Sequence, residues 1–135
     1  MTFTLTMLAL AAAITFFMAG FQGLLVPLNQ GIAWGLGARD EGKDVSALQG
    51  RAARCVANQI ENMAVFVPLV LVAHLAGLQT AMVEFGAALF VAARLAFFVF
   101  YWLGVPVLRS LAWLVGVIAM ILIAIPVFGA GIYAL

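Results

Sequence analysis

Residues 48–78 read LQGRAARCVANQIENMAVFVPLVLVAHLAGL. The stretch from Met63 to Ala73 is uniformly apolar, whereas the half before it carries Arg51, Arg54, Asn58 and Glu61. Read together, the two halves predict one helix over about 48–78, long enough to cross about 30 Å of hydrocarbon. An ionised side chain at the centre of a spanning helix costs about 2.5–3.5 kcal/mol on insertion scales. The charged half must therefore be shielded from lipid, which a lone span cannot do.

The rest of the chain supplies the shielding. Of 135 residues, 67% are hydrophobic and 8% charged, with a mean hydropathy of +1.24; an ordinary soluble domain is about a quarter charged. A first span is predicted over about 3–25, with no charge between Met1 and Gly37 and with Pro27 expected to end the helix. A secretory signal would need a basic start and a shorter apolar core, so a retained helix is expected. The segment Gly35 to Gln49 holds Arg39, Asp40, Glu41, Lys43 and Asp44 among glycines and suits a solvated loop. A third span is predicted over about 80–103 with Arg94 inside it, and Gly104 and Pro106 break the pattern. A fourth follows over about 108–133, with Pro126 as a kink. Small residues recur along the spans and permit close helix packing. The expected fold is an all-α integral membrane protein, a four-transmembrane-helix bundle forming one domain over 1–135.

Charge distribution sets an expected orientation. Arg39, Lys43, Arg51, Arg54, Arg94 and Arg109 all lie toward one side, which the positive-inside rule assigns to the cytoplasm, leaving both termini outside. Trp34, Trp102 and Trp113 fall near that side and Tyr133 near the other, as interfacial anchors do. With a net charge of +1 and no long basic run, no nucleic-acid partner is expected. A single cysteine, Cys55, excludes an intrachain disulfide and a cysteine-built metal site. His74 has no His or Cys at ligand spacing and reads as a packing or interface residue, so no metal is expected. Glu84 is expected at the outer headgroups.

Arg54, Asn58 and Glu61 are spaced i, i+4, i+7 and share one helical stripe, which Arg51 extends by a turn. Arg94 and Tyr101 form a second stripe on the third span, and Arg109 with Ser110 opens the fourth at similar depth. One reading is structural: Glu61 and Arg94 form a buried ion pair while Arg51 and Arg109 snorkel to the headgroups. Arithmetic opposes it. The arginines expected to face inward, Arg54, Arg94 and Arg109, outnumber Glu61, and an excess of buried cations requires an anionic ligand. Guanidinium groups bind carboxylates through two parallel hydrogen bonds. Cys55 neighbours the stripe but points off it and reads as packing.

The run Arg51-Ala-Ala-Arg54-Cys-Val-Ala-Asn58-Gln-Ile-Glu61-Asn62, with Phe66-Val-Pro68 after it, resembles the signature of the MAPEG family, membrane-associated proteins in eicosanoid and glutathione metabolism. The similarity extends to Arg94, Tyr101 and Arg109-Ser110 and covers almost the whole chain. It implies a four-helix bundle assembled as a homotrimer, with glutathione as co-substrate bound between subunits near the cytoplasmic face. Arg54, Asn58, Glu61, Arg94 and Tyr101, with Arg51 beside them, match positions that hold glutathione, and Arg109 and Ser110 match the place near its sulfur. The implied activity is a glutathione transferase or peroxidase acting on a lipophilic electrophile or hydroperoxide from the bilayer.

Departures from the family narrow the reading. Asn62 stands where some branches have Tyr, Phe98 or its neighbour Phe97 where a prostaglandin-forming branch has His, and the Tyr101–Arg109 loop is slightly shorter. A generic transferase or peroxidase therefore fits better than eicosanoid synthesis. A noncatalytic lipid-binding scaffold of the same fold is the alternative within the family. A small multidrug transporter is the alternative outside it, but the first span lacks the carboxylate such a carrier needs and the arginines would repel cationic drugs. The compact chain suits a bacterial inner membrane.

Overall fold

The computed structural model describes residues 1–40 and 42–132. Tyr133, expected at the outer interface, lies outside the described residues, as does Glu41. The elements are α1 (Phe3–Gln30), α2 (Ile32–Leu36), α3 (Ala47–Leu75), α4 (Ala81–Leu103) and α5 (Pro106–Ile132). Four of them, α1, α3, α4 and α5, are long and apolar enough to cross a membrane.

Capping chemistry accounts for most boundaries. Ser46 and Thr80 cap α3 and α4, their hydroxyls accepting from Gln49 N–H at 3.2 Å and Val83 N–H at 3.3 Å. α3 stops at Leu75, short of the expected 78, because Gly77 takes a φ of 70° and Leu78 N–H turns back to the Ala73 carbonyl at 2.8 Å. Gly104 closes α4 in the same way, with a φ of 73° and Val105 N–H bonded to the Phe100 carbonyl at 3.0 Å. Pro106 then opens α5, two residues earlier than expected, since a first helical position has no use for an N–H.

Pro27 does not end α1. The helix runs on to Gln30: the proline gives up its own N–H bond and crowds the carbonyl one turn before it, but Gly31 N–H still reaches the Pro27 carbonyl at 3.0 Å and Asn29 Nδ2 donates to the Leu25 carbonyl at 2.7 Å.

The four long helices alternate in direction. Thr2 and Thr4 at the start of α1 meet His74 in the last turn of α3 and Gln79 just beyond it, at 3.4 Å in each case. Phe21 near the end of α1 meets Trp102 at the end of α4, ring centroids 3.6 Å apart. Gly86 at the start of α4 faces Ala119 and Ile123 in the second half of α5. α4 is the central helix, packed against α1, α3 and α5, and it is the most buried of the four.

Two apolar cores result. The one nearer the chain's N-terminus joins Ala11, Phe66, Phe90, Ala119 and Ile123, with Phe66 and Phe90 stacked at 3.8 Å. The other joins Met18, Cys55, Phe97, Phe98, Tyr101 and Ala112. Cys55 is buried there and packs, as expected, but on the bundle-facing side of α3, because the stripe of Arg54 and Glu61 faces outward.

α4 and α5 approach closely at Gly86, where an added Cβ would lie 2.9 Å from the Ala119 carbonyl oxygen and 2.9 Å from Ile123 Cγ1. Overpacking of this kind costs about 1–3 kcal/mol. Gly86→Ala should lower the thermal unfolding midpoint of the detergent-purified protein, whereas Gly129→Ala, whose added carbon meets nothing within 4 Å, should not.

Candidate functional site

A layer of polar side chains separates the two cores. Arg94, fully buried on α4, donates from Nε to Gln59 Oε1 at 2.6 Å and from Nη2 to Asn58 Oδ1 at 3.0 Å. Because an arginine nitrogen only donates, Gln59 must turn its oxygen to Arg94 and its amide nitrogen away. That nitrogen donates to Thr15 Oγ1 on α1 at 2.9 Å, and Thr15 in turn donates to the Ala11 carbonyl at 2.8 Å. Asn58 Oδ1 also accepts from Asn62 Nδ2 at 3.3 Å, so two donors hold its oxygen inward. Arg94 Cζ lies 4.2 Å from the centre of the Phe97 ring, and its Nη1 is buried without a hydrogen-bond partner among the described residues.

Two adjoining hollows open on the outer side of this layer. The larger, about 290 Å³, is lined by Asn58 from α3, Phe97 and Tyr101 from α4, and Arg109, Ser110 and Trp113 from α5. The smaller, about 130 Å³, shares Tyr101 and Arg109 and adds Arg51 and Arg54 from α3 and the Gly104–Pro106 turn. Arg109 is held by its guanidinium over the Tyr101 ring, 4.9 Å from the centroid, and Tyr101 leans edge-on against Phe97 at 5.2 Å. Gly104 is needed for its left-handed turn, and Arg51 packs over it, its guanidinium 3.8 Å from where a Cβ would stand. The linings carry three guanidinium groups and no carboxylate, so the site suits an anion.

Of the residues singled out in the sequence, Arg51, Arg54, Asn58, Tyr101, Arg109 and Ser110 line one hollow or both. Arg94 does not; it stands one side chain behind, reaching the larger hollow through Asn58 and Phe97. The alternative of a Glu61–Arg94 ion pair is corrected: Arg94 is taken up by two amides, and Glu61 is exposed with no partner among the described residues.

Arg54, expected to face inward, is also exposed. The reason is helical phase. The buried face of α3 runs through Ala52, Cys55, Gln59, Asn62 and Phe66, while Arg54 and Glu61, seven apart, share the outward face, with Asn58 at the border. Ser110 donates its hydroxyl proton to the Pro106 carbonyl at 2.9 Å, so it lines the hollow as an acceptor.

Sequence reasoning missed Gln59 and Thr15. The signal for Gln59 was partial: it is a polar residue on α3 at the depth where Arg94 needs an acceptor, but only the packed structure shows that its face of the helix is the inner one. Thr15 gave none, since a threonine in an apolar span ordinarily bonds its own helix. Of the two phenylalanines before Tyr101, Phe97 lines the hollow, while Phe98 packs on Phe17 and Trp102.

Thr15→Val keeps the shape but leaves Gln59 Nε2 buried without an acceptor. It should destabilise the fold by about 1–3 kcal/mol, seen as a lower thermal midpoint. Thr6→Val, which removes only a bond to the Thr2 carbonyl, should have a smaller effect.

Comparison with known families finds one whose model covers the chain from α1 through nearly all of α5, residues 3–129, and its description is the MAPEG family. No curated protein and no solved structure matches the chain. With four apolar helices and a match over nearly its whole length, this multi-pass membrane protein belongs to the MAPEG family.

Proposed function

We propose that the protein is a membrane-bound glutathione transferase or peroxidase that works as a homotrimer. The observation that carries this reading is the convergence of Arg51, Arg54, Tyr101 and Arg109 on one hollow whose lining has no carboxylate. Glutathione brings two carboxylates for the arginines and one ammonium. Membership of the MAPEG family makes glutathione the natural anion.

Glu61 supports the trimer. It sits at the middle of α3, exposed on the same face as Arg54, and a charge there cannot rest against lipid. A second copy covering this face would shield both residues and bring Glu61 to the ammonium of a glutathione held at the boundary. The site would then face the cytoplasm, with both termini outside, in agreement with the basic residues gathered at that end. A bacterial inner membrane suits this arrangement.

The chemistry follows from charge. A free thiol titrates at about 8.5 and reacts as the thiolate; a guanidinium within about 4–6 Å favours that form. Ser110 has spent its proton on Pro106, so the stabilising role falls to Arg109, which Tyr101 holds in place. Lowering the thiol by two pH units takes about 2.7 kcal/mol, which one desolvated guanidinium can supply. The thiolate sulfur then bonds to an electrophilic carbon as the leaving group departs with its electron pair, or attacks the terminal oxygen of a hydroperoxide while the O–O pair leaves on the alkoxide, which is protonated to the alcohol; the glutathione sulfenic acid so formed condenses with a second glutathione to give the disulfide and water. No covalent bond to the protein forms. An apolar groove of about 500 Å³ along Pro106, Val107, Leu111 and Leu114 meets the larger hollow at Ser110 and Trp113 and suits the lipophilic partner.

Calorimetry of glutathione binding to detergent-purified protein tests the site. Arg54→Ala and Glu61→Gln should each weaken binding by about tenfold or more, the loss expected for a charged hydrogen bond of about 1.5–3 kcal/mol. Failure of well-folded wild type to bind glutathione at millimolar concentration would remove the transferase reading and leave a lipid-binding scaffold. Thiolate absorbance of bound glutathione tests the chemistry: Arg109→Ala should retain binding and lose the thiolate signal at neutral pH.

A further inference from the structure

Arg94 is a full positive charge inside the bundle, and both of its acceptors, Gln59 and Asn58, are neutral amides. A carboxylate in the place of Gln59 would make the same 2.6 Å contact and cancel the charge. The fold instead spends a buried side chain, 0% exposed, on holding the guanidinium without neutralising it. Arg94 Nη1 has no hydrogen-bond partner among the described residues. Burying an uncompensated cation is expensive, so its retention beside the hollow needs a reason.

Among the described residues no carboxylate pairs with Arg94. α1 contributes Thr15, α3 contributes buried Cys55, α4 contributes Tyr101, and α5 contributes another cation, Arg109. The only carboxylate on α3, Glu61, points outward from the bundle. Meanwhile Asn58, with its oxygen taken by Arg94 and Asn62, has only its Nδ2 donor left for the hollow. Charge and donor thus point the same way.

We propose that Arg94 and Gln59 are positioning residues: they keep one unneutralised positive charge a single side chain behind the larger hollow, where it lowers the titration point of a thiol bound there and fixes Asn58 as a donor. The proposal rests on the glutathione reading above. It also distinguishes Arg94 from Arg51, Arg54 and Arg109, which border the ligand space directly, and gives Gln59 a role that its neutral side chain does not advertise.

The sign is set by Coulomb's law. A cation favours the thiolate and lowers the thiol's titration point; removing the charge raises it. Across one layer of side chains the shift is about one pH unit. Titrating the thiolate absorbance of glutathione bound to the intact protein reads it directly. Gln59→Glu, which neutralises Arg94 while keeping its Nε contact, and Arg94→Gln, which removes the charge by another route, should each raise the titration point by about one pH unit. Gln59→Met, which removes the hydrogen bond and leaves the charge, should move it much less.

Bound glutathione whose titration point is unchanged in whichever of Gln59→Glu and Arg94→Gln folds would overturn the proposal. So would an equal shift in Gln59→Met, because the effect would then come from geometry. If wild type binds no glutathione, the functional reading itself fails and this inference falls with it; binding without a shift sinks only the inference.

Discussion

A guanidinium with no access to water has to be satisfied from within, and the bundle is organised around doing that for Arg94. Its hydrogen bonds reach α3 directly and α1 through Gln59 and Thr15, so three of the four long helices are tied at one level. Immediately above and below that level the contacts are apolar and nondirectional, Phe66 on Phe90 on one side and Phe97, Phe98 and Met18 on the other. In a membrane, where lipid tails compete equally well for apolar surface, such contacts alone leave the sliding of one helix along another weakly opposed. The polar layer sets the register.

That register has a consequence for α3, which must show two different polar faces. Gln59 and Asn62 turn inward to the network, while Arg54 and Glu61 turn outward by the pitch of the same helix. Asn58 stands between the two sets, bonded to Arg94 on one side and lining the hollow on the other. The single chain therefore carries a polar interior that is hydrogen-bonded except at Arg94 Nη1, and an uncompleted polar exterior. An exposed mid-span carboxylate beside an exposed arginine is the signature of a surface meant to be covered, and the proposed trimer does so.

Backbone punctuation places the remaining pieces. The left-handed Gly104 and the pre-set φ of Pro106 make the α4–α5 connection so short that Tyr101, in the last turn of α4, and Arg109, in the first turns of α5, must stack. Arg51 arrives from α3 to pack over Gly104. The close approach at Gly86 holds α4 and α5 together at the opposite end. A cation-lined hollow at one end of the bundle follows from these constraints without any dedicated loop.

Much of this was legible in the residues themselves. Four apolar runs, the polar half of the second, and the spacing of Arg51, Arg54, Asn58, Arg94, Tyr101 and Arg109 sufficed for the fold class, the family and most of the lining, because hydrophobic length and helical period are local properties of a chain. The span ends were less legible: Pro27 looked like a stop and was not, since whether a helix survives a proline depends on the bonds made around it. Helical phase was the larger gap. Spacing alone puts Arg54, Asn58 and Glu61 on one stripe but does not say whether the stripe faces the bundle. Only the packed structure turned Arg54 and Glu61 outward, withdrew Arg94 behind Asn58, and gave it Gln59 and Thr15 as partners. Those outcomes depend on which faces of three helices meet at one depth, and contacts between residues tens of positions apart leave no periodic trace in the sequence.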